Sequence, residues 1–272
     1  MRQFYLIILL ISLILSGQGL ISLTCAQDRP FGFHFKKKHQ KKIHLDFEQY
    51  NNLIVVPVQI NNSDTLNFVL DTGVGYTLVT DPKALNHLDL NCIRQITVAG
   101  AGSEQELRGC IVHLNSIRVD DIEAQNHNVI VLEKDVLHLS SYAGVKIHGL
   151  IGYDLFSRFV VKINYQHRKL VIHQPDKFKP TSKGETFPIS IEQMKPYIQA
   201  EAFLNEAERA TVKLILDTGA GHSLSLEAGS HPSIQVPERN ITAHIGMTLN
   251  GAVNGAVGRI NKFKLGSYEM QG

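Results

Sequence analysis

Cysteine and net charge are both scarce in this sequence. Its 272 residues include only 3 cysteines, and 27 basic residues nearly balance 25 acidic ones. Three cysteines are too few for a small disulfide-knotted domain, and a hydrophobic content of 43% is enough to build a core. The composition therefore excludes disordered, collagen-like and disulfide-knot proteins and predicts a globular chain.

The motifs of several common enzyme classes are also missing. The sequence contains no Gly-x-Ser-x-Gly elbow, no His-Glu-x-x-His zinc motif and no Walker loop. Its 13 histidines never come closer than five residues, so no pair has the spacing that places two imidazoles on one helical face. We therefore expect neither a metal nor another cofactor.

The positive charge is concentrated near the N-terminus. Seven basic residues precede position 44, where Asp28 is the only acid. From residue 44 onward 20 basic residues face 24 acidic ones, which is a net charge of −4. A duplex-binding domain needs positive charge spread over its folded surface. We therefore predict no nucleic-acid partner.

The first 26 residues are typical of an export signal. Arg2 precedes an apolar run, 4–15, whose 12 residues are too short for a membrane-spanning helix but suit a signal-peptide core. Cleavage after Ala26 would remove Cys25, whereas a lipidated Cys25 would anchor the chain to a membrane. We expect an exported protein of the periplasm, the cell envelope or the extracellular space.

Residues 27–44 are predicted to form a basic linker. Its lysines, Lys36–Lys42, are interleaved with His34, His39 and His44. This composition favours a solvated tether, although such a segment can also bind anionic lipid surfaces.

An internal repeat is the most informative feature of the chain. The segments 68–79 (FVLDTGVGYTLV) and 214–225 (LILDTGAGHSLS) share one frame, and their aspartates, Asp71 and Asp217, are 146 residues apart. One Asp-Thr-Gly tripeptide would indicate only a turn. Two copies in matching contexts are a strong signal of a duplicated unit.

The context of each copy indicates β-structure. Short β-rich runs around polar turns precede both aspartates, and a glycine-bearing hairpin pattern follows each copy. The clearest helix start is Asp81-Pro82. We predict a mostly β fold with two related lobes, 45–175 and 176–272.

The two copies differ downstream. The first continues into Leu150-Ile151-Gly152 and a closing pair of strands, whereas the counterpart of that tripeptide in the second copy would fall beyond Gly272. We therefore expect the second lobe to be incomplete at its C-terminal end.

The doubled motif resembles the aspartic proteases of the pepsin and retropepsin superfamily, in which each lobe contributes one Asp-Thr-Gly loop to a shared site. With 98–102 (VAGAG) and 150–154 (LIGYD), the first half looks most like bacterial exported retropepsin-like proteases. The resemblance covers about residues 45–272. It implies closed β-barrel lobes and a peptide or protein substrate.

The resemblance also assigns roles to individual residues. Asp71 and Asp217 match the catalytic pair. The matching support residues are the loop-bracing threonines Thr72 and Thr218, the glycines Gly73 and Gly219 against the carboxylates, and Leu150, Ile151 and Gly152 behind the first loop.

Two adjacent carboxylates can hydrolyse a peptide bond without a metal. They cannot both ionise at short distance, so they share one proton, and the pair can activate a water while protonating the amide. Pepsins commonly have Ser or Thr after Asp-Thr-Gly, whereas this chain has Val74 and Ala220. We expect the missing hydroxyl donor to raise the upper apparent pKa of the pair and to make its working pH less acidic than that of pepsin.

The hairpin around Gly100, Ala101 and Gly102 is a candidate flap that would close over an extended substrate, although it could be an ordinary loop. If it folds symmetrically about Ala101, Cys92 and Cys110 lie opposite each other, and we predict a disulfide between them. The alternative is two buried free cysteines.

The leading functional hypothesis is an exported aspartic endopeptidase, monomeric if its second lobe is complete. One alternative is a catalytically silent peptide-binding module with the same fold. Another is a retropepsin-like homodimer that uses only Asp71 from each chain.

Overall fold

The computed structural model describes residues 32–88, 90–98, 107–181, 183–248 and 251–271, and strands dominate this part of the chain. The prediction of a mostly β fold is therefore confirmed. Apart from the first 30 residues, the chain forms one compact unit. The predicted export signal lies outside the described residues. No helix in the described ranges has the length and apolar content that crossing a membrane requires.

The strands of the first half are β1 (His34–Phe35), β2 (Lys42–Asp46), β3 (Glu48–Tyr50), β4 (Leu53–Ile60), β5 (Leu66–Leu70), β6 (Leu78–Val79), β7 (Cys92–Val98), β8 (Leu107–Val119), β9 (Ile122–Leu132), β10 (Gly149–Ile151), β11 (Val160–Asn164) and β12 (Lys169–His173). Those of the second half are β13 (Ser190–Glu192), β14 (Lys195–Phe203), β15 (Arg209–Ile215), β16 (Asn240–Thr248), β17 (Gly251–Gly258), β18 (Lys262–Leu265) and β19 (Tyr268–Gln271).

The helices are short. They are α1 (Leu139–Ala143), α2 (Tyr153–Phe156) and two 3₁₀ turns, Pro82–Leu85 and Pro175–Lys177. The predicted helix at Asp81-Pro82 is the first of these 3₁₀ turns, and the Asp81 carboxylate caps it by accepting a hydrogen bond from the Lys83 N–H at 3.1 Å.

Nine strands of the first lobe form one sheet. The strands β4, β5, β10, β6, β9 and β8 pair successively, and β8 also pairs with β4. Their inward side chains, including Ile54, Phe68 and Leu114, are almost fully buried in the main core. Strand β10 runs parallel to β5, with Leu150 opposite Val69. This pairing fixes the strand end from which the first Asp-Thr-Gly loop emerges.

The basic segment is not a tether. Residues 27–44 were predicted to be a solvated linker, but β1 pairs with β9, and β2 joins β12 and β11 in a three-stranded sheet. In β2 the side chains of Ile43 and Leu45 are buried while Lys42 and His44 are exposed. This two-residue alternation is a strand pattern that the high lysine content obscured. The boundary of the first lobe at residue 45 is therefore wrong, while the boundary at 175 stays a prediction.

The second lobe has a much smaller core. Strand β14 pairs with β13, β15 and β18, while β16 and β17 form a separate hairpin. Its buried cluster contains Ala200, Ala202, Ala210, Val212 and Ile234.

The last residues of β5 and β15 have different environments. Val69 and Leu70 are 1% and 2% exposed because β10 covers the edge of β5, whereas Ile215 and Leu216 are 41% and 50% exposed. Within the described residues, β14 is the only partner of β15.

A disulfide joins Cys92 to Cys110, as predicted, with the Cα atoms 5.6 Å apart. The predicted register was wrong, however. Gln95 rather than Cys92 lies opposite Cys110, and a bulge after Cys92 brings that residue opposite Val112. The hairpin is therefore not symmetric about Ala101, and a bulge of this kind is not encoded by spacing alone.

Candidate active site

Two hairpins deliver the two Asp-Thr-Gly loops to the same place. The β4–β5 hairpin leads into Asp71, and the β14–β15 hairpin leads into Asp217. The backbone N–H of Asp71 donates to the Ile151 carbonyl at 2.8 Å, so β10 continues its pairing up to the loop. The predicted residues Leu150, Ile151 and Gly152 thus lie directly behind the first loop.

Each carboxylate is held by its own loop and faces the opposite one. The N–H of Gly73 donates to Asp71 Oδ1, and the N–H of Gly219 donates to Asp217 Oδ1, both at 2.7 Å. A Cβ on Gly73 would lie within 2.8–2.9 Å of the Asp217 carboxylate, and one on Gly219 would overlap the Asp71 carboxylate. Both loops therefore require glycine, because any side chain would occupy the space of the opposite aspartate.

The two threonines join the loops by a reciprocal set of hydrogen bonds. The N–H of Thr72 donates to Thr218 Oγ1 at 3.1 Å, and the N–H of Thr218 donates to Thr72 Oγ1 at 3.0 Å. The hydroxyls donate to carbonyls of the opposite lobe, from Thr72 to Leu216 at 2.6 Å and from Thr218 to Leu70 at 2.8 Å. Four hydrogen bonds thus fix the distance between the carboxylates.

The electrostatics of the pair are asymmetric. Asp71 is only 8% exposed, whereas Asp217 is an exposed residue. Burial, then the negative charge of Asp217 and a hydrogen bond with it, raises the pKa of Asp71 to about 8, although the Gly73 N–H and the Lys195 ammonium act in the opposite direction. The pair therefore retains a proton at neutral pH. Burial is the main cause of this shift, and a working pH less acidic than that of pepsin stays a prediction.

Each lobe also braces the loop of the other through a hairpin turn. In the first lobe, Asn51 and Asn52 form the turn between β3 and β4 with positive φ angles of 46° and 68°. The Asn52 side-chain amide donates to the Gly221 carbonyl at 2.9 Å, and the Tyr142 hydroxyl in α1 lies against Gly221. A polar cluster of the first lobe therefore holds the second loop.

The reverse contact is apolar. Gln193 and Met194 form the matching turn between β13 and β14, with φ angles of 49° and 62°. The Met194 side chain packs against Gly75 so closely that a Cβ there would lie 2.8 Å from its Cε. Sequence reasoning missed these turns. The pair Asn51-Asn52 was a detectable signal for a two-residue hairpin turn, but Gln193-Met194 was not.

A buried polar group supports the first loop from behind. The Asp154 carboxylate accepts hydrogen bonds from the Thr77 N–H at 2.8 Å and from the Thr77 hydroxyl at 2.6 Å, and it also pairs with His127 Nε2 at 3.2 Å. Thr77 itself is fully buried. Sequence analysis did not identify this group, although Thr77 occupies the Ser/Thr position of the repeated frame.

The remaining predicted site residues are not all described. Gly100, Ala101 and Gly102 lie outside the described residues, so the flap stays a prediction. The strands on either side of them, β7 and β8, do form an antiparallel hairpin, and the disulfide lies near its base.

Comparison with known proteins points to one family. Residues 56–155 match a family described as aspartyl protease, and this segment includes Asp71 and β10. A solved structure, a retropepsin-like aspartic protease from Rickettsia conorii, is 18% identical and covers 54% of this chain and 96% of that chain, with a TM-score of 0.35. No curated protein matches the chain at a significant level. Residues 56–155 are thus similar to aspartyl proteases.

The threonine hydrogen bonds predict a measurable stability difference. Thr72→Val keeps the side-chain shape but leaves the Leu216 carbonyl and the Thr218 N–H without this partner, which should cost about 1–3 kcal/mol in the free energy of unfolding. Thr72→Ser, which retains the hydroxyl, should recover most of this loss. Urea denaturation measures both, with the exposed Thr211→Val on β15 as the matched control. Equal midpoints for Thr72→Val and Thr211→Val would contradict the role of this contact.

The buried carboxyl predicts a pH-dependent stability. The pKa of Asp71 is raised on folding, so its contribution is fully present below the unfolded value of 3.8 and is lost as the pH rises towards about 8. Within this window each pH unit should lower the free energy of unfolding by up to about 1.4 kcal/mol. Asp71→Asn should flatten the profile and stabilise the protein at pH 8, whereas the exposed Asp64→Asn should leave the profile unchanged. Parallel profiles for the parent and Asp71→Asn would refute the raised pKa.

Proposed function

We propose that this chain is an aspartic endopeptidase that hydrolyses peptide bonds by general acid–base activation of a water between Asp71 and Asp217. The observation that carries this proposal is the contact of the two Asp-Thr-Gly loops, in which each glycine faces the aspartate of the other lobe. The aspartyl protease match of residues 56–155 supports peptidase activity in general.

The difference in burial between Asp71 and Asp217 supports one protonation state as the start of the reaction. The raised pKa of Asp71 favours a start in which its buried carboxyl holds the proton that the pair shares. In this state Asp217 takes a proton from the bound water, and Asp71 donates its proton towards the peptide group as the water attacks the carbonyl carbon. The roles then reverse when the amine departs. A pair of this kind titrates as a unit, so neither role is permanent.

The two structural braces give this chemistry its geometry. The threonine hydrogen bonds fix the loop-to-loop distance, and the turns at Asn52 and Met194 hold the far ends of the loops. An extended peptide would lie across both loops, beneath the hairpin of β7 and β8, and would pair with its backbone as an added strand does. The protein would act after export, which also agrees with its disulfide.

A silent peptide-binding module is the weaker alternative. Binding needs no paired acids, and burying a carboxyl beside another carboxyl destabilises the fold at neutral pH. A homodimer that uses only Asp71 is also less well supported, because Asp217 of the same chain already occupies the position facing Gly73.

Substitution of the second aspartate tests the proposal. Asp217→Asn keeps the shape and the Gly219 hydrogen bond but removes the base, so cleavage of a peptide substrate should fall by at least about 10³-fold. Asp64→Asn, in an exposed turn, is the matched control and should cleave normally. Retained activity in Asp217→Asn would exclude a two-lobe site within one chain. Cleavage that resists both Asp71→Asn and a statine-type inhibitor would exclude the aspartic mechanism itself.

The charge of Lys195 predicts a shift in the pH profile of activity. With a pKa of about 8, Asp71 should lose its proton and the enzyme its activity above about pH 8. Lys195 lowers this pKa by Coulombic attraction, so Lys195→Gln should move the alkaline limb of kcat/KM to higher pH. Lys213→Gln removes a charge that pairs with Glu192 instead, so it should leave the limb in place. Identical limbs in both variants would contradict this assignment.

A further inference from the structure

Positive charge covers the outward face of the three-stranded sheet. The strand registers place Lys42 beside His173, and they place Val171 between His44 and Lys162. We call these five residues the basic face. All of them are at least partly exposed.

The opposite side of the same sheet belongs to the core. Ile43 and Leu45 of β2 and Leu170 and Ile172 of β12 are buried in the main cluster, which also contains Leu70, the residue before Asp71. Because side chains alternate across a strand, the basic face must point away from this core and into solvent.

The charges on the basic face are close together and uncompensated. The pKa of His173 is lowered, first by partial burial and then by repulsion from Lys42, His44 and Lys162. Neither Lys42 nor Lys162 has an ion-pair partner within the described residues. At the other end of the sheet, Lys169 pairs with Asp46 at 2.6 Å and adds no net charge.

The positive surface also continues along the chain before β2. Lys36, Lys38 and Lys41 are exposed in the connection from β1, and only Lys37 of this stretch forms an ion pair, with Asp121 at 3.4 Å. Lys41 directly precedes Lys42 and is also exposed, so it extends the positive charge at the start of β2.

This surface fits a bilayer better than a nucleic acid. Val171 lies at its centre, and the chain from residue 44 onward is net negative, whereas a nucleic-acid-binding domain needs positive charge spread over its folded surface. Export brings the chain to a membrane, and a lipidated Cys25, the alternative to cleavage after Ala26, would keep it there. Lysines beside an anionic leaflet are attracted to it within a Debye length.

We propose that the basic face docks the protein onto an anionic lipid bilayer. Lys42 and Lys162 supply charge that the lipid phosphates neutralise, while Val171 lies at the level of the headgroups. The inference is independent of the proposed peptidase activity, because the basic face contains no residue of the Asp71–Asp217 site.

Vesicle binding tests the proposal directly. The full chain is sedimented with vesicles of phosphatidylglycerol and phosphatidylcholine and, separately, with vesicles of phosphatidylcholine alone. Any binding through the apolar run contributes to both, so the difference between the two lipids reports the charge-dependent part. Each lysine near the surface should contribute roughly a fivefold gain, so Lys42→Gln/Lys162→Gln should weaken binding to the anionic vesicles by about 30-fold.

The matched control removes two lysines elsewhere. Lys83→Gln/Lys134→Gln lowers the net charge equally at exposed positions away from the sheet and should bind like the parent. Equal urea midpoints for the two double variants establish that the difference does not come from unfolding, and each single variant at Lys42 or Lys162 should show the fivefold step.

Three results would overturn the proposal. They are unchanged anionic-vesicle binding by Lys42→Gln/Lys162→Gln, equal binding of the parent to both lipids, and binding of the parent to heparin or single-stranded DNA without binding to phosphatidylglycerol. The variant Asp217→Asn should bind vesicles like the parent whether or not it cleaves peptides, which separates this inference from the proposed function.

Discussion

The hydrogen bonds between Thr72 and Thr218 are the interaction on which the site depends. Each hydroxyl accepts from the opposite backbone N–H and donates to an opposite carbonyl, so neither loop has a complete set of partners without the other. In each loop the aspartate directly precedes the threonine. The distance between the two carboxylates is therefore set by the loops and not by a direct attraction between them.

This constraint creates the electrostatic property that the proposed chemistry requires. Two carboxylates held together, one of them buried, cannot readily ionise together at neutral pH, and burial with the charge of Asp217 raises the pKa of Asp71 to about 8. The same arrangement lowers the free energy of unfolding as the pH rises. The site is therefore a region where stability and the proposed function make opposite demands. The large core of the first lobe offsets this loss. Leu70, which precedes the first loop, and Ile151, which lies behind it, both belong to that core.

Much of the site was predictable because its residues are adjacent in sequence. The repeated frame identified Asp71, Asp217 and their threonines and glycines, since local order within a loop survives folding. The turns that brace those loops were less accessible, because the contacts of Asn52 with Gly221 and of Met194 with Gly75 join residues far apart in the chain. The basic segment was misinterpreted because its lysine content concealed the alternation of polar and apolar residues in β2, and its partner β12 lies more than 120 residues along the chain.

The sequence by itself determined the chemistry that is available, namely two acids in duplicated loops, a disulfide pair and a strand-rich fold. Only the tertiary structure decided how deeply each loop is buried. The two motifs are nearly identical, but β10 covers the edge of β5 while the described residues provide no such cover for β15. Burial, and hence the raised pKa of Asp71, depends on what packs around its loop and not on the residues within it.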